Sequence, residues 1–319
     1  MSKTETGPDT GPEIWRGGVN TWECDEMGHM NVRFYLTKAT EGLAGLAAEL
    51  GMAHAFAPHA EATLLVTDHH VRFLKENHAG AALYMTGAVL SMGEVDAWLC
   101  QILYDARSHV PSATVISRVQ HARARDGRAF PWPERAREAA TRLTIATPDF
   151  AAPRSLSLDT PAPLGRIADG SAARLPQIAR GVIGPSAVDV FGRMRPEEFI
   201  GRVSDGIGSL IGDVRSVVAQ NAASRHDRVG GAVLEYRLAY LDWPRIGDHV
   251  AVRSGLASIE EKTQRIGHWL INPLNGAAWG FSEAVAVNFD LDSRKTIPIS
   301  DQAREILTKR LVRGHRFGE

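Results

Sequence analysis

A short stretch near the N-terminus combines residue types that can act on a carbonyl group. It runs Trp22-x-x-Asp25-x-x-Gly28-His29-x-Asn31-Val32-x-x-Tyr35. A carboxylate such as that of Asp25 can serve as a general base or as a nucleophile. Unpaired backbone N–H groups near it can stabilise the oxyanion that forms when a carbonyl is attacked. These residue types therefore indicate acyl chemistry.

The residues that follow predict the element that positions this chemistry. Apolar residues recur at steps of three and four, which is the pattern of one helix face: Val32, Tyr35, Leu36, Ala39, Leu43, Leu46, Ala47 and Leu50. We expect a buried helix over residues 32–50, with Asn31 as its N-cap and Gly51 at its C-terminal end. Asp25 then lies near the positive end of the helix dipole.

The motif resembles the active-site segment of hotdog-fold thioesterases, in the branch of 4-hydroxybenzoyl-CoA thioesterase and the acyl-carrier-protein thioesterases. The resemblance implies that Asp25 is the catalytic carboxylate and that His29 and Asn31 are catalytic residues which orient the water, the carboxylate or the turn. It also implies that Gly28 and the backbone N–H of Val32 contact the substrate, the latter as an oxyanion-hole donor.

The second half of the sequence repeats the first. One constant shift in numbering aligns Asp25, Gly28 and Gly42 with Asp189, Gly192 and Gly206, and it preserves the apolar helix pattern. The strands follow with small insertions, and we pair Trp98 with Trp269 at a slightly larger shift. The repeat predicts a tandem duplication.

Period-two patterns predict the strands. In the first half they cover residues 63–75, 81–92, 95–106 and 112–123, and a short strand lies within 14–24. We therefore expect an α+β double hotdog, in which each half is a long central helix wrapped by an antiparallel sheet of about five strands.

The same patterns predict the domain organisation. The domains are residues 1–130, with the active-site motif, and 180–319, with a degenerate motif and a C-terminal helix. Residues 131–179 form a proline-rich linker with a short helix at 134–143.

The two copies of the motif differ where the chemistry lies. His29 becomes Arg193, Asn31 becomes Arg195 and Val32 becomes Pro196. Proline suits the first turn of a helix but has no N–H to donate. We therefore expect only the first copy to be catalytic.

The other reactive residues give no indication of a catalytic or metal site. Cys24 has no accompanying histidine and asparagine arrangement and is expected to be a packing residue, and Arg33 is expected to lie on a solvated face. Neither His69-His70 nor the turn matches zinc-ligand spacing, so we expect no metal. No phosphate-binding or dinucleotide-binding motif occurs, and the only expected cofactor is the coenzyme A of the substrate.

Composition excludes several classes of protein. The chain has 319 residues and a formal net charge of −1, which predicts no nucleic-acid or membrane partner. Its two cysteines give no disulfide framework, and its N-terminus does not resemble a signal peptide, so we expect a cytoplasmic protein.

The resemblance implies an acyl thioesterase whose partner is an acyl-CoA or acyl-carrier-protein thioester. One chain would supply both units of the usual hotdog dimer, as a pseudo-dimer, and a homodimer of such chains is a further arrangement. Two alternatives are a double-hotdog hydratase or dehydratase acting on enoyl or 3-hydroxyacyl thioesters, and a non-catalytic acyl-CoA-binding protein.

Overall fold

The computed structural model describes residues 10–222 and 228–319, which divide into two units. The first unit comprises the residues up to Thr67 together with Leu74–Ala152. The second comprises Asp68–Phe73 together with Pro153–Glu319. The segment predicted as a linker, residues 131–179, is therefore shared between the units.

The first unit is an antiparallel sheet with a long helix on one face. Its strands have the order β1-β3-β4-β5-β2, and the helix α1 packs against β1, β3, β4 and β5. The elements are β1 (Glu13–Gly18), α1 (Val32–Glu49), β2 (Ala62–Phe73), β3 (Ala82–Met92), β4 (Asp96–Asp105), β5 (Pro111–Arg123) and α2 (Glu134–Leu143). The predicted helices and long strands are confirmed, with ends within two residues. The strand within 14–24 is shorter than that span, because Thr21–Glu23 forms a 3-10 turn.

The apolar face of α1 forms the core of this unit, as its periodicity predicts. Leu36, Leu43 and Leu46 are at most 2% exposed. Burying each leucine contributes about 2 kcal/mol. Gly51 follows the helix with φ +74°, and the Met52 N–H donates to the carbonyl of Ala47 at 2.7 Å, which ends the helix in a left-handed cap.

In the second unit the strands and the helical region that matches α1 follow the same order, with two short helices before them and one helix after them. Its sheet contains the last residues of β2 and then runs β7-β10-β9-β8-β6. The elements are α3 (Gly165–Ala168), α4 (Ser171–Arg174), β6 (Gln177–Val182), α5 (Pro196–Gly206), α6 (Gly208–Gln220), β7 (Val229–Tyr240), β8 (His249–Ile259), β9 (Gln264–Ile271), β10 (Ala278–Asp290) and α7 (Asp301–Thr308).

The positions of these elements follow the sequence repeat. The offset in numbering that relates Asp25 to Asp189 also relates the starts of β1, the 3-10 turn Thr21–Glu23 and α1 to those of β6, a second 3-10 turn (Pro185–Ala187) and α5. A slightly larger offset, again constant, relates the starts of β2, β3 and β5 to those of β7, β8 and β10. The two units therefore follow one plan, with a small insertion before β7.

The pairing of Trp98 with Trp269 is wrong. Trp269 pairs with Phe281 and Arg253, and the residue with the equivalent partners, Thr114 and Thr86, is Ile102. Trp98 lies four residues before Ile102 in β4. The strands on either side of β4, β3 and β5, keep one constant offset in numbering from β8 and β10. The register of β4 is therefore set by the turns and not by the Trp-Leu dipeptide that β4 and β9 both contain.

Two features of the second unit concern its helices. The helix that matches α1 is divided at Ile207, where Gly206 and Gly208 lower the helix propensity on both sides. The predicted C-terminal helix is present as α7, whose Ala303 and Leu307 pack against α6. Among the described residues, no helix is both long and apolar enough to cross a membrane.

Candidate functional site

The Asp25 side chain closes the turn that leads into α1. Its Oδ1 accepts hydrogen bonds from the N–H groups of Met27 at 2.9 Å and His29 at 3.1 Å. The Asp25 N–H in turn donates to the His29 carbonyl at 2.8 Å. No described residue contacts the other carboxylate oxygen, Oδ2, within hydrogen-bond distance. One oxygen therefore builds the turn, and the other has no hydrogen-bond partner among the described residues.

Gly28 is required by the backbone of this turn. Its φ is +79°, in the left-handed region that residues with a Cβ rarely adopt. A Cβ built at this position would have no atom within 4 Å, so the requirement is conformational rather than steric.

Asn31 is the N-cap of α1, as predicted. Its Oδ1 accepts from the Arg33 N–H at 3.0 Å, and its carbonyl accepts from the Phe34 N–H at 2.9 Å. Within the described part of the chain, nothing accepts a hydrogen bond from the Val32 N–H. Of the first three N–H groups of α1, the one on Val32 is thus left for a ligand.

His29 contacts the loop between β2 and β3. Its Nε2 lies 3.4 Å from a carboxylate oxygen of Glu76, and its ring meets the ring of His78 edge-on, with centroids 4.9 Å apart. The His78 Nδ1 lies 3.1 Å from the Gly28 carbonyl. No local sequence pattern connects this loop to the motif, so neither Glu76 nor His78 was predicted as a site residue.

The same loop holds the turn against the core. The Met30 N–H donates to the Asn77 carbonyl at 2.7 Å, and the Asn77 Nδ2 donates to the Tyr35 hydroxyl at 3.2 Å. Burial raises the pKa of Tyr35 to about 12, so this hydroxyl stays protonated and is no proton-transfer group near neutral pH.

A buried ion pair supports the turn from beneath. The Lys38 Nζ lies 2.8 Å from the Glu23 Oε1, and both side chains are at most 9% exposed. The Glu23 Oε2 accepts from the Asn20 N–H, and the Glu23 carbonyl accepts from the Asn31 N–H, both at 2.8 Å. Lys38 lies on the apolar face of α1, where the periodicity gave no indication of a charge.

The second copy repeats the turn but not its open groups. The Asp189 Oδ1 accepts from the N–H groups of Phe191 at 2.8 Å and Arg193 at 2.9 Å, and Gly192 has φ +75°. Here, however, Oδ2 pairs with the Arg193 Nε at 3.3 Å. Pro196 begins the helix and has no N–H.

Comparison of the two copies therefore distinguishes the residues that build the turn from the groups that are open to a ligand. An aspartate and a left-handed glycine build the turn in both units, so neither residue by itself indicates catalysis. An unpaired carboxylate oxygen and an unpaired N–H at the helix start occur together only in the first copy, at Asp25 and Val32.

The comparisons with known proteins concern the family of one segment and the fold of the chain. Residues 19–140 match the model of the thioesterase-like superfamily. No curated protein matches the chain.

Two solved structures share the fold of this chain. An acyl-ACP thioesterase from Bacteroides thetaiotaomicron VPI-5482 has a TM-score of 0.61 at 9% identity, covering 85% of this chain and 96% of that chain. A 12:0-ACP thioesterase from Umbellularia californica has a TM-score of 0.63 at 11% identity, covering 86% of this chain and 93% of that chain. At these identities the two matches establish the fold, the α+β hotdog fold of thioesterases.

The side chains of the other residues singled out in the sequence, Cys24, His69 and His70, form hydrogen bonds with groups other than the Asp25 carboxylate. The Cys24 Sγ donates to the Asn20 carbonyl at 3.6 Å. His69 and His70 lie in the last residues of β2, within the second unit, where burial lowers the pKa of His69 to about 3. The His69 Nδ1 bonds the Tyr240 hydroxyl, and the His70 Nε2 bonds Glu235, both at 2.7 Å.

A cavity of about 260 Å³ lies at the other end of α1. Met52, Ala55 and Pro133 are among the residues that line it. Because α1 has 18 residues, it is about 27 Å long. The cavity and the Asp25 turn are therefore separate features of the first unit.

Proposed function

We propose that the protein is an acyl thioesterase, which hydrolyses the thioester of an acyl-CoA or of an acyl carrier protein to a free acid and a thiol. The observation that carries the proposal is the pair of open groups at Asp25 and Val32, which the second copy of the turn lacks. The match of residues 19–140 to the model of the thioesterase-like superfamily supports thioester hydrolysis as the reaction class. The names of the two solved thioesterases support a carrier-bound acyl chain as the substrate.

In this proposal the Val32 N–H binds the thioester oxygen. As a nucleophile attacks the acyl carbon, negative charge develops on that oxygen, and the N–H at the positive end of α1 donates a hydrogen bond to it. One donor of this kind contributes about 100-fold to 1,000-fold in rate. A thiolate is a good leaving group, so the site needs no strong general acid.

The Asp25 Oδ2 supplies the base or the nucleophile. As a base it removes a proton from water, the water oxygen bonds to the acyl carbon, the carbon–sulfur bond breaks, and the proton passes to the thiolate. As a nucleophile it bonds to the acyl carbon, the carbon–sulfur bond breaks and the thiolate leaves, giving an acyl anhydride. Water then hydrolyses the anhydride to the free acid and the Asp25 carboxylate, and its proton passes to the thiolate. Label in the Asp25 carboxylate after a single turnover in heavy-oxygen water would identify the nucleophilic route, because only hydrolysis of the anhydride at the Asp25 carbon can place it there.

The neighbouring residues have positioning roles. Asn31 fixes the helix start through its cap, and Gly28 gives the turn its shape. His29 donates its backbone N–H to Asp25, so the orientation of the carboxylate depends on the same residue whose ring faces Glu76.

We also propose that each unit is one hotdog domain, so that the chain is a double hotdog which arose by duplication. The shared order of elements and the two constant offsets between their starting positions support this proposal. One chain would then supply the two hotdog units of a pseudo-dimer, with no second copy required.

The test is release of free thiol from a panel of acyl-CoAs and acyl-carrier-protein thioesters by Asp25→Asn and Asp189→Asn variants. Asparagine keeps an oxygen that can accept both backbone hydrogen bonds, so each turn is retained while its charge is removed. We expect kcat/KM to fall about 100-fold to 10,000-fold for Asp25→Asn and to stay within about three-fold for Asp189→Asn.

Three results would contradict the proposal. Equal losses in both variants would assign the effect to folding. Absence of thiol release from every substrate would favour the acyl-CoA-binding alternative. Loss of an enoyl chromophore without thiol release would favour a hydratase.

A further inference from the structure

His29, Glu76 and His78 bring three metal-ligating side chains together beside the Asp25 turn. One ligand atom from each residue lies within 4.8 Å of those of the other two. The two histidines and the carboxylate come from two chain segments that pair as an antiparallel bridge, His29 with His78. We propose that this cluster binds a divalent transition-metal ion, Zn²⁺ in particular.

The distances are those of ligands to one metal ion. The His29 Nε2 and the Glu76 oxygen are 3.4 Å apart. Two ligands of a tetrahedral zinc ion, each about 2.0–2.1 Å from the metal, lie about 3.4 Å apart. Imidazole nitrogen and carboxylate oxygen are ligands that zinc accepts.

The backbone holds the ligands in place. The His78 Nδ1 donates to the Gly28 carbonyl at 3.1 Å, which leaves the Nε2 lone pair of His78 for a metal. The Met30 N–H donates to the Asn77 carbonyl between Glu76 and His78, which fixes the register of the two segments. The two segments that carry the ligands are therefore held in place without a metal ion.

The second unit shows that the fold does not require this set of residues. It forms the same bridge between Arg193 and Arg245, and the Met194 N–H likewise donates to the Pro244 carbonyl. Arg193 and Arg245 stand in place of His29 and His78, and Trp243 stands in place of Glu76. The turn and its bridge therefore form without metal ligands, so the ligand set of the first unit is a property of that unit alone.

Three protein ligands leave the fourth position of a tetrahedral ion open. Two histidines and one glutamate with an open position form a ligand set that zinc accepts with a water or a substrate atom completing the sphere. The proposal is independent of thioester hydrolysis, since it concerns the loading of the site and not a reaction step.

The test is a titration of the metal-free full-length protein with Zn²⁺ in competition with a chromogenic chelator. Glu76→Gln and His78→Gln each remove one ligand, and we expect each to weaken zinc binding on the order of 100-fold. His59→Gln is the matched control, because His59 faces His54 in the same unit with ring centroids 6.1 Å apart. We expect the control to bind Zn²⁺ within two-fold of the wild type.

A second measurement keeps the test independent of folding. Both ligand variants should unfold at the wild-type temperature without metal, and Zn²⁺ should raise the unfolding temperature of the wild type and of His59→Gln only. Wild-type binding no tighter than that of Glu76→Gln and His78→Gln would overturn the proposal. Because no substrate is present, this result would leave the thioesterase assay unaffected.

Discussion

Val32→Pro would give the first copy of the turn the residue that begins the helix in the second copy. The backbone already suits proline, because the preceding residues have nearly the same conformation, φ −62° and ψ 144° at Asn31 and φ −67° and ψ 146° at Arg195. Proline is favoured at the first position of a helix. The substitution also breaks no hydrogen bond within the described part of the chain, since the Val32 N–H has no acceptor there.

The expected effect on catalysis is large and the expected effect on stability is small. Loss of one oxyanion-hole donor raises the barrier by about 2.7–4 kcal/mol, which lowers kcat/KM about 100-fold to 1,000-fold. Proline at a compatible position stabilises the folded chain by about 0.4–1 kcal/mol through the unfolded state. Val32 is half-buried, and its lost packing offsets part of that gain. We expect the free energy of unfolding to change by less than about 1 kcal/mol.

Two measurements are made on the same preparation of Val32→Pro. Thiol release gives kcat/KM, and urea unfolding gives the free energy of unfolding. Val32→Ala is the control, because it removes the side chain and keeps the N–H. Pro196→Val tests the other copy, where a restored N–H should add no activity to that of the first copy, since the Asp189 carboxylate remains paired with Arg193. If folded Val32→Pro retained kcat/KM within about five-fold of Val32→Ala, the Val32 N–H would not be the oxyanion donor.

Three further substitutions test the supports of the site and of the second unit. Gly28→Ala should lower the free energy of unfolding by about 1–2 kcal/mol in urea titrations, because only the left-handed backbone opposes a side chain there. Lys38→Met should lower it by about 3–5 kcal/mol by leaving the Glu23 carboxylate buried without its partner, and adding Glu23→Gln should recover much of the loss. Burial alone would raise the pKa of Glu235, but hydrogen bonds from His70 and from backbone N–H groups at 154 and 156 outweigh it and lower the pKa to about 2. The stability from this carboxylate is therefore complete above about pH 4.5 and lost as the pH falls towards 2, so Glu235→Gln should flatten the dependence of the unfolding free energy on pH in that window.

Local signals in the sequence predicted most of the elements. The 3.6-residue period and the asparagine cap placed the start of α1 at Val32, and strand patterns placed β2 to β5 within two residues. The internal repeat extended the prediction to the second unit, because proline at position 196 marks a helix start. The helix division at Ile207 and the short helices α3 and α4 were missed, since weak helices depend on packing that the sequence does not display.

Contacts between distant segments were not predictable in the same way. Lys38 and Glu23 form a pair in the core, and Glu76 and His78 face His29 although α1 and β2 separate them along the chain. The spacing of ligands along the chain cannot indicate a cluster that depends on the register of a loop against a turn. The expectation of no metal considered only residues adjacent in the sequence, and the site that we propose has a different set.

The duplicated turn also limits what the aspartate can reveal. Each aspartate uses Oδ1 to hold two backbone N–H groups, in a copy that we propose to be active and in a copy that we propose to be inactive. Replacing Asp25 by alanine would therefore remove a structural acceptor and a reactive oxygen together, and a loss of activity would not distinguish them. Asparagine keeps the acceptor and removes the charge, while proline at position 32 keeps the turn and removes the donor. If the two variants each fold and each lose activity, the open groups of the first copy act as a pair, and the turn itself is only their support.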